Sequence, residues 1–408
     1  MLERNHNIKI TVVVGFAEAL PSPEVVWSLV DQGFQVIAFA RRGRRTALHH
    51  SRFVVCHEIT PPEVDVQEAL SDLRSLLTSL SGSIHVNRRV LFPLDDSAVW
   101  LCSRVSLDPD WILAGPSGVN ADLALDKYVQ FQAALDAGFN VPRTMLAETS
   151  NDILSMKESF PLILKPAKGI APLQNRLYKS PTWICGTRKE LERAVLVWAN
   201  QAPLLVQPFI LGTGEGIFGL ATSEGIRAWS SHRRLRMMNP HGSGSSACIS
   251  QTVPEELKPP IERLIRKAGW RGLFMIELLR DHSGTSWFME LNGRPWGSMA
   301  LARRQGLEYP AWNVRFAIDP QSRISMEQPG MAGLVCRHFG RELMYPLFVL
   351  RGPKSKALKN WPSFWKAISD ILRIRRSDSI YNWRKDDPKV LISDCYYTVR
   401  DQVFKVKI

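Results

Sequence analysis

The chain has 408 residues, a formal net charge of +13 at pH 7, 45% hydrophobic residues and 22% charged residues. That length exceeds one ordinary core and points to two or three packed domains, while the composition excludes a disordered chain. No apolar run approaches the roughly 20 residues that span a bilayer, no signal-peptide pattern opens the chain, and the six cysteines form no C-x-x-C pair. A reducing, cytoplasmic setting without structural zinc is expected.

Ile8 to Gly15 reads as a buried strand, Ser22 to Gly33 as a helix capped by Ser22 with Pro23 at its first position, and Phe34 to Ala40 as a second strand. Strand, helix, strand is the opening of a parallel α/β sheet. The loop after the first strand lacks G-x-G-x-x-G, and the second strand ends in Arg41-Arg42 where an NAD site would place an acidic residue. Two arginines would tolerate an NADP phosphate, which leaves a reductase as a minor alternative. Asp65 to Leu80 reads as helix, Arg89 to Pro93 as strand, and Leu94-Asp95-Asp96-Ser97 starts another helix. The expected boundaries give a first α/β domain over 1–115, a second over 116–320 and a basic, Trp-rich region over 321–408.

The second unit opens at Leu125-Asp126-Lys127-Tyr128 with a helix to Ala137, closed by Gly138. Pro161 to Pro166 is a strand that delivers Lys165 near its end, and Leu204 to Ile210 is another apolar run leading into the glycine-rich turn Gly212-Thr213-Gly214-Glu215-Gly216. Ile217 to Thr222 and Ile226 to Ser231 suit a hairpin, Asn239 to Ser246 a loop, and Pro254 to Ala268 a helix. Met299 to Gln305 begins a further helix. Beyond Asp319, Arg341 to Leu350 reads as an amphipathic or buried helix, and Trp361, Trp365 and Trp383 alternate with Lys354, Lys356, Lys359, Lys366 and Arg373-Ile374-Arg375-Arg376. Tryptophan among basic residues suits an interfacial helix, so 340–385 is a candidate for peripheral membrane contact. A small helical subdomain with packed tryptophans is the expectation we favour. The net charge is compatible with nucleic acid, yet no nucleic-acid-binding signature accompanies it.

The densest chemistry lies in Phe274-Met275-Ile276-Glu277-Leu278 and Phe288-Met289-Glu290-Leu291-Asn292-Gly293-Arg294-Pro295. Both carboxylates follow short apolar runs of strand type, and alternation puts Glu290 and Asn292 on one face. Two carboxylates and an amide oxygen suit Mg²⁺ shared with a phosphate, and Arg294 adds a fixed positive charge.

Taken in order, Lys127, Lys165, the Gln207 to Gly216 segment, Glu277, Glu290, Asn292 and Arg294 resemble the ATP-grasp superfamily, in its carbamoyl-phosphate-synthetase-like and biotin-carboxylase-like branch. The resemblance covers roughly 110–320. It implies an N-terminal parallel α/β domain, a two-lobed ATP-grasp domain and a small C-terminal mixed region. By that resemblance Lys127 and Lys165 contact nucleotide phosphates, while Gln207, Phe209 and Ile210 lie where adenine is received and Glu215 meets the ribose. Glu277, Glu290 and Asn292 would bind Mg²⁺ (or Mn²⁺), Arg294 would meet the acyl phosphate, and Arg234, with Arg233, would face the substrate. The segment after Lys165 departs from the family pattern, with Pro166-Ala167-Lys168-Gly169-Ile170-Ala171-Pro172 where a glycine-rich flap is usual.

The implied activity is ATP-dependent ligation of a small-molecule carboxylate to an amine, through an acyl phosphate. The competing class is a nucleotide-sensing accessory protein that binds a membrane surface or nucleic acid through its basic C-terminal region.

Overall fold

The computed structural model describes residues 10–81, 88–157, 159–240, 244–322, 330 and 332–404. Ile8 and Lys9 of the expected first strand, and His241 to Ser243 of the expected loop, lie outside them.

Five short apolar strands open the chain: β1 (Thr11–Gly15), β2 (Gln35–Arg41), β3 (Val55–Ile59), β4 (Arg89–Pro93) and β5 (Trp111–Leu113). They form one parallel sheet in the order β3-β2-β1-β4-β5, interleaved with α1 (Ser22–Asp31), α2 (Val66–Ser81) and α3 (Asp96–Cys102). β1 is buried throughout, as a strand covered on both faces must be. The order reverses direction beside β1, which puts the loops after β1 and β4 at the switch point of the sheet. Arg41 ends β2 there, and its guanidinium is taken by Glu18, Glu63 and Asp95. Of the two arginines behind the reductase alternative, Arg41 is thus held by three carboxylates and Arg42 by Glu68 and Asp72. Ser22 does not cap α1: Pro21 holds the cap position, and the Ser22 hydroxyl donates to the Ala17 carbonyl at 2.7 Å.

Two helices, α4 (Val119–Leu125) and α5 (Lys127–Ala137), lead into a second sheet built from β6 (Met145–Ala147), β7 (Leu162–Pro166), β10 (Trp183–Cys185) and β11 (Leu204–Pro208). Helices α6 (Ser150–Leu154) and α7 (Arg188–Trp198) cover its far face, where Leu162, Leu164, Leu204 and Val206 share a core with Trp198. Between β7 and β10 a two-stranded hairpin, β8 (Ala171–Leu173) and β9 (Arg176–Tyr178), turns through Gln174 and Asn175, both at positive φ.

The third sheet has the order β16-β15-β12-β13-β14-β17-β18. Its strands are β12 (Gly212–Thr222), β13 (Gly225–Met237), β14 (Ser245–Gln251), β15 (Gly272–Asp281), β16 (Ser286–Asn292), β17 (Val335–Arg337) and β18 (Ser379–Ile380). One face packs on α5 and α8 (Lys258–Lys267) through Phe131, Ile261, Phe274, Ile276 and Phe288. The other meets α9 (Met299–Arg304), α10 (Tyr309–Ile318) and the first sheet's layer through Phe218, Met275 and Trp296.

The strands after 320 therefore complete this sheet. Around them lie α11 (Phe339–Arg351), α12 (Phe364–Leu372) and α13 (Pro388–Val403). Trp361 is half-buried and donates to the Val349 carbonyl, whereas Trp365 is 77% exposed. Just before α13, Asp387 accepts from Trp27 of α1 and from Ser51, which ties the C-terminal stretch to the first sheet's layer. No helix among the described residues is long and apolar enough to cross a membrane.

Candidate active site

Antiparallel register brings the acidic strands together. Glu277 on β15 stands opposite Glu290 on β16, and Met275 stands opposite Asn292. Residues directly opposite in a ladder share a face, so the two carboxylates and the amide lie on one side of the sheet. Gln130 of α5 fixes β16 in depth: its side chain donates to the Leu291 carbonyl and accepts from the Leu291 N–H, both at 2.9 Å. Lys127, one turn earlier on α5, consequently meets Glu290. Asp126 caps the same turn by accepting from the N–H groups of Tyr128 and Val129.

Lys165 reaches the cluster from the second sheet. Its ammonium sits 4.6 Å over the Phe131 ring, and burial, with the nearby Lys127 charge, lowers its pKa to about 7 against the pull of Glu290 and Glu277. Leu205 is its register partner, and Gln207 alternates onto the same face. The Gln207 amide is buried and donates to the Thr144 hydroxyl at 2.6 Å, while the Phe209 N–H donates to the Pro161 carbonyl at 2.9 Å. Ile210 completes the link to β12 and is half-buried. A cavity of about 490 Å³ beside this sheet is lined in part by Met145, Leu162, Val206 and Gln207.

β12 separates the acidic strands from β13. Gly216 stands between Glu277 and His232, so the strand presents no side chain there. A Cβ on Gly214 would lie 2.7 Å from Arg234 Cδ, and one on Gly216 would lie 2.9 Å from His232 Nε2. The two glycines let β13 side chains lie across β12, and Arg234 uses that space to reach Glu277 at 2.9 Å. His232 is 4% exposed, bonds Ser298 through Nδ1 at 2.7 Å, and is kept neutral by burial beside Arg234, its pKa lowered to about 3.

Arg294 leaves the end of β16 and donates through Nε to Asp96 Oδ1 of α3 at 2.7 Å. Burial alone would raise the Asp96 pKa, but Arg294, with Lys179 and Lys127, brings it down to about 2. The arginine is thus braced by the first α/β layer, at the mouth of its switch point.

Glu215 stands apart from these residues. It faces Leu278 in the register, on the opposite side of the sheet from Glu277, and Arg280 holds it with bonds of 3.1 Å to both carboxylate oxygens. Arg233 is also on that opposite face and is exposed. The sequence reading did not single out Asp96, Gln130 or His232 as site residues. Of these, His232 had a local signal, since it alternates with Arg234 on one strand.

Among the described residues no group of three or more His, Cys, Asp or Glu side chains gathers as a metal site. The donor set formed by Glu277, Glu290 and Asn292 is two carboxylates and an amide, all oxygen ligands, which fits a hard cation that completes its shell with phosphate and water. Both carboxylates already hold a cation, Lys127 on Glu290 and Arg234 on Glu277.

The segment after Lys165, where a flap is usual, is pinned. The Lys127 N–H donates to the Ala167 carbonyl at 2.7 Å and the Gly169 N–H to the Leu125 carbonyl at 2.8 Å. The β8–β9 hairpin beyond it docks on the first α/β layer: Leu177 N–H donates to the Pro62 carbonyl at 2.7 Å, and Val66 N–H to the Asn175 carbonyl at 2.8 Å. Leu177 packs there with Val66, Val99 and Leu125.

No family model and no curated protein sequence matches the chain. Solved structures do. An L-amino acid ligase from Bacillus licheniformis matches with a TM-score of 0.57 at 18% identity, over 77% of this chain and 74% of that one. A biotin carboxylase from Campylobacter jejuni matches with a TM-score of 0.59 at 15% identity, over 79% and 73%. An N5-carboxyaminoimidazole synthetase from Staphylococcus aureus matches with a TM-score of 0.54 at 12% identity, over 77% and 78%. At such identities the likeness is one of architecture. The chain carries the ATP-grasp fold.

Proposed function

We propose that the protein is an ATP-dependent carboxylate-amine ligase that works through an acyl phosphate. The observation that carries this reading is the register of Glu277 against Glu290, with Asn292 two residues on and Lys127 and Lys165 bearing on the same carboxylates. The solved structures of this fold that include nucleotide complexes support ATP as the phosphoryl donor.

Glu277, Glu290 and Asn292 would hold Mg²⁺, which when bound neutralises charge on the phosphate oxygens. Lys127 and Lys165 bind the triphosphate, Lys127 by exchanging its Glu290 partner for phosphate. Gln207 to Ile210 form the wall that receives adenine. A ribose contact from Glu215 requires it to leave Arg280. In the first step a carboxylate oxygen of the substrate attacks the γ-phosphorus, and the bond to the bridging oxygen breaks with its electron pair leaving on ADP. In the second, the amine nitrogen adds to the acyl carbon and loses a proton, and inorganic phosphate departs to leave an amide. Arg294, held by Asp96, places a fixed guanidinium at the acyl phosphate, and Arg234 meets the substrate once Glu277 turns to the metal. Positioning and electrostatics suffice, and no side-chain nucleophile is needed.

The test is phosphate release from MgATP across a panel of carboxylic acids and amines, with amide formation followed in parallel. Release that depends strictly on both partners is the expected result. Glu290→Ala combined with Asn292→Ala should lower kcat by roughly 100-fold or more, the scale for losing a charge-stabilising group. Undiminished turnover in that double variant would remove the metal assignment, and nucleotide binding without turnover on any pair would favour an accessory role.

A further inference from the structure

Arg341 belongs to none of the roles above, yet it is placed beside them. It lies in the first turn of α11, and its guanidinium fits over Gly244, where a Cβ would come within 3.1 Å of Nη1. Nη1 donates to the Ser245 carbonyl at 3.0 Å. That is the one hydrogen bond its guanidinium makes among the described residues, and no carboxylate there pairs with it. The contrast with its neighbours is sharp: Glu342 neutralises both Arg236 and Arg337. Asp394 bears on Arg341 electrostatically but lies 3.1 Å from His338 Nε2. Burial pushes the Arg341 guanidinium below its ordinary pKa.

A second cation approaches from the active site. Cys248 of β14 is the register partner of Arg234, and Arg234 and Arg341 both interact electrostatically with Cys248 and with each other. Two buried polar atoms without partners lie on these same strands: His232 Nε2, two residues before Arg234, and Ser246 Oγ, two residues before Cys248. Alternation puts His232 on the face that carries Arg234, and Ser246 lies at the irregularity of the ladder between Ser245 and Ala247. Glu277 offsets Arg234 in the ligand-free protein, and once Glu277 turns to the metal the two guanidiniums share a partly buried site at a cost unless another anion offsets it. β14 is three strands from β15, about 14 Å at the usual inter-strand spacing. Arg234 reaches back over β12 to Glu277, whereas Arg341 is tied to Ser245 of β14, so Arg341 stands on the side of Arg234 away from the acidic strands.

We propose that Arg341, together with Arg234, binds a carboxylate that is not the one activated, so that one of the two substrates carries an additional carboxylate. This rests on the ligase reading and specifies its substrate class. Two carriers share the chemistry: a dicarboxylic acid as the activated substrate, or an α-amino acid as the amine. Glu342, pinned between Arg236 and Arg337, holds the first turn of α11 in place, so the subsite is built before substrate arrives.

The experiment has a kinetic and a binding part, each on the wild-type protein, Arg341→Gln and Arg341→Lys. In the kinetic part, α-amino acids are compared with the corresponding decarboxylated amines, and dicarboxylic acids with monocarboxylic acids of equal length. Wild type should favour the carboxylate-bearing member in one comparison by roughly 30-fold or more in kcat/KM, the scale for a desolvated charge pair. Arg341→Gln should erase that preference mainly through KM, and Arg341→Lys should restore part of it. In the binding part, glutarate and succinate should raise the melting temperature of wild type above that in chloride of equal ionic strength, and should not do so for Arg341→Gln. A wild type indifferent to the extra carboxylate in both comparisons overturns the proposal, as does an Arg341→Gln variant that keeps the preference. Absence of ATP turnover with every pair removes the ligase reading, and the subsite then stands or falls on the melting shift alone.

Discussion

A lysine whose pKa is lowered to about 7 gives the site a pH dependence with a definite sign. Burial over the Phe131 ring works against the charge on Lys165, and a bound triphosphate would restore it. MgATP binding at pH 8 should therefore take up protons, read by calorimetry in two buffers of different ionisation enthalpy. The uptake should vanish in Lys165→Met, and proton release in wild type would contradict the placement of Lys165 at the phosphates. In the ligand-free protein the same shift means that between pH 7 and the ordinary value of 10.5 the unfolded chain binds more protons than the folded one. The contribution of Lys165 to stability is thus smallest below pH 7 and rises with pH across that window. Glu290, Asn292 and Arg294 were legible in the sequence because strand alternation is a local rule. Asp96, Gln130 and Arg341 were not, since what each one bonds lies 198, 161 and 96 residues away.

At the level of elements, composition misled where glycine serves close approach. The segment Gly212 to Gly216 reads as a turn, but β12 runs from Gly212, and its glycines give passage to side chains from the next strand. Gly214→Ala should push Arg234 off Glu277, at a cost of about 1–3 kcal/mol in stability and with a drop in kcat larger than the stability loss explains. Urea unfolding and steady-state rates on the same preparation separate the two effects. Wild-type turnover in Gly214→Ala would mean that Arg234 need not cross β12. Ser245 similarly begins a strand where a loop was expected, because β14 finds partners on both sides, β13 and the distant β17. The parallel opening of the chain was readable from strand and helix periods alone. The short strands β6 and β8 to β10 offered too few residues for a period to register.

For the molecule as a whole, the stretch after residue 320 shares a sheet with the unit before it. β17 and β18 end the third sheet, and Asp387 anchors the C-terminal stretch to Trp27. A chain stopped at residue 320 would expose the edge of β14 and the buried thiol of Cys248. We expect it to aggregate, with loss of MgATP binding, when purified alongside the full chain. A soluble, folded and active truncation would show instead that the C-terminal stretch is an independent module. The basic side chains of 340–385 stay on the outside of this arrangement: Lys354, Lys356, Lys359, Lys366, Arg373 and Arg376 are exposed.

The hairpin β8–β9 is fastened to the first α/β layer by two backbone bonds, to Pro62 and from Val66. Lys179, just beyond it, bears on Asp96, so the hairpin adjoins the brace of Arg294. On the ligase reading, a latch that opens for each exchange of nucleotide would unseat Leu177 from its apolar contact with the first sheet's layer. Release of ADP, and not bond making, would then set the pace of turnover. A rapid first turnover followed by a slower steady rate is the signature to look for, and Leu177→Ala should raise the steady rate while leaving the first turnover unchanged.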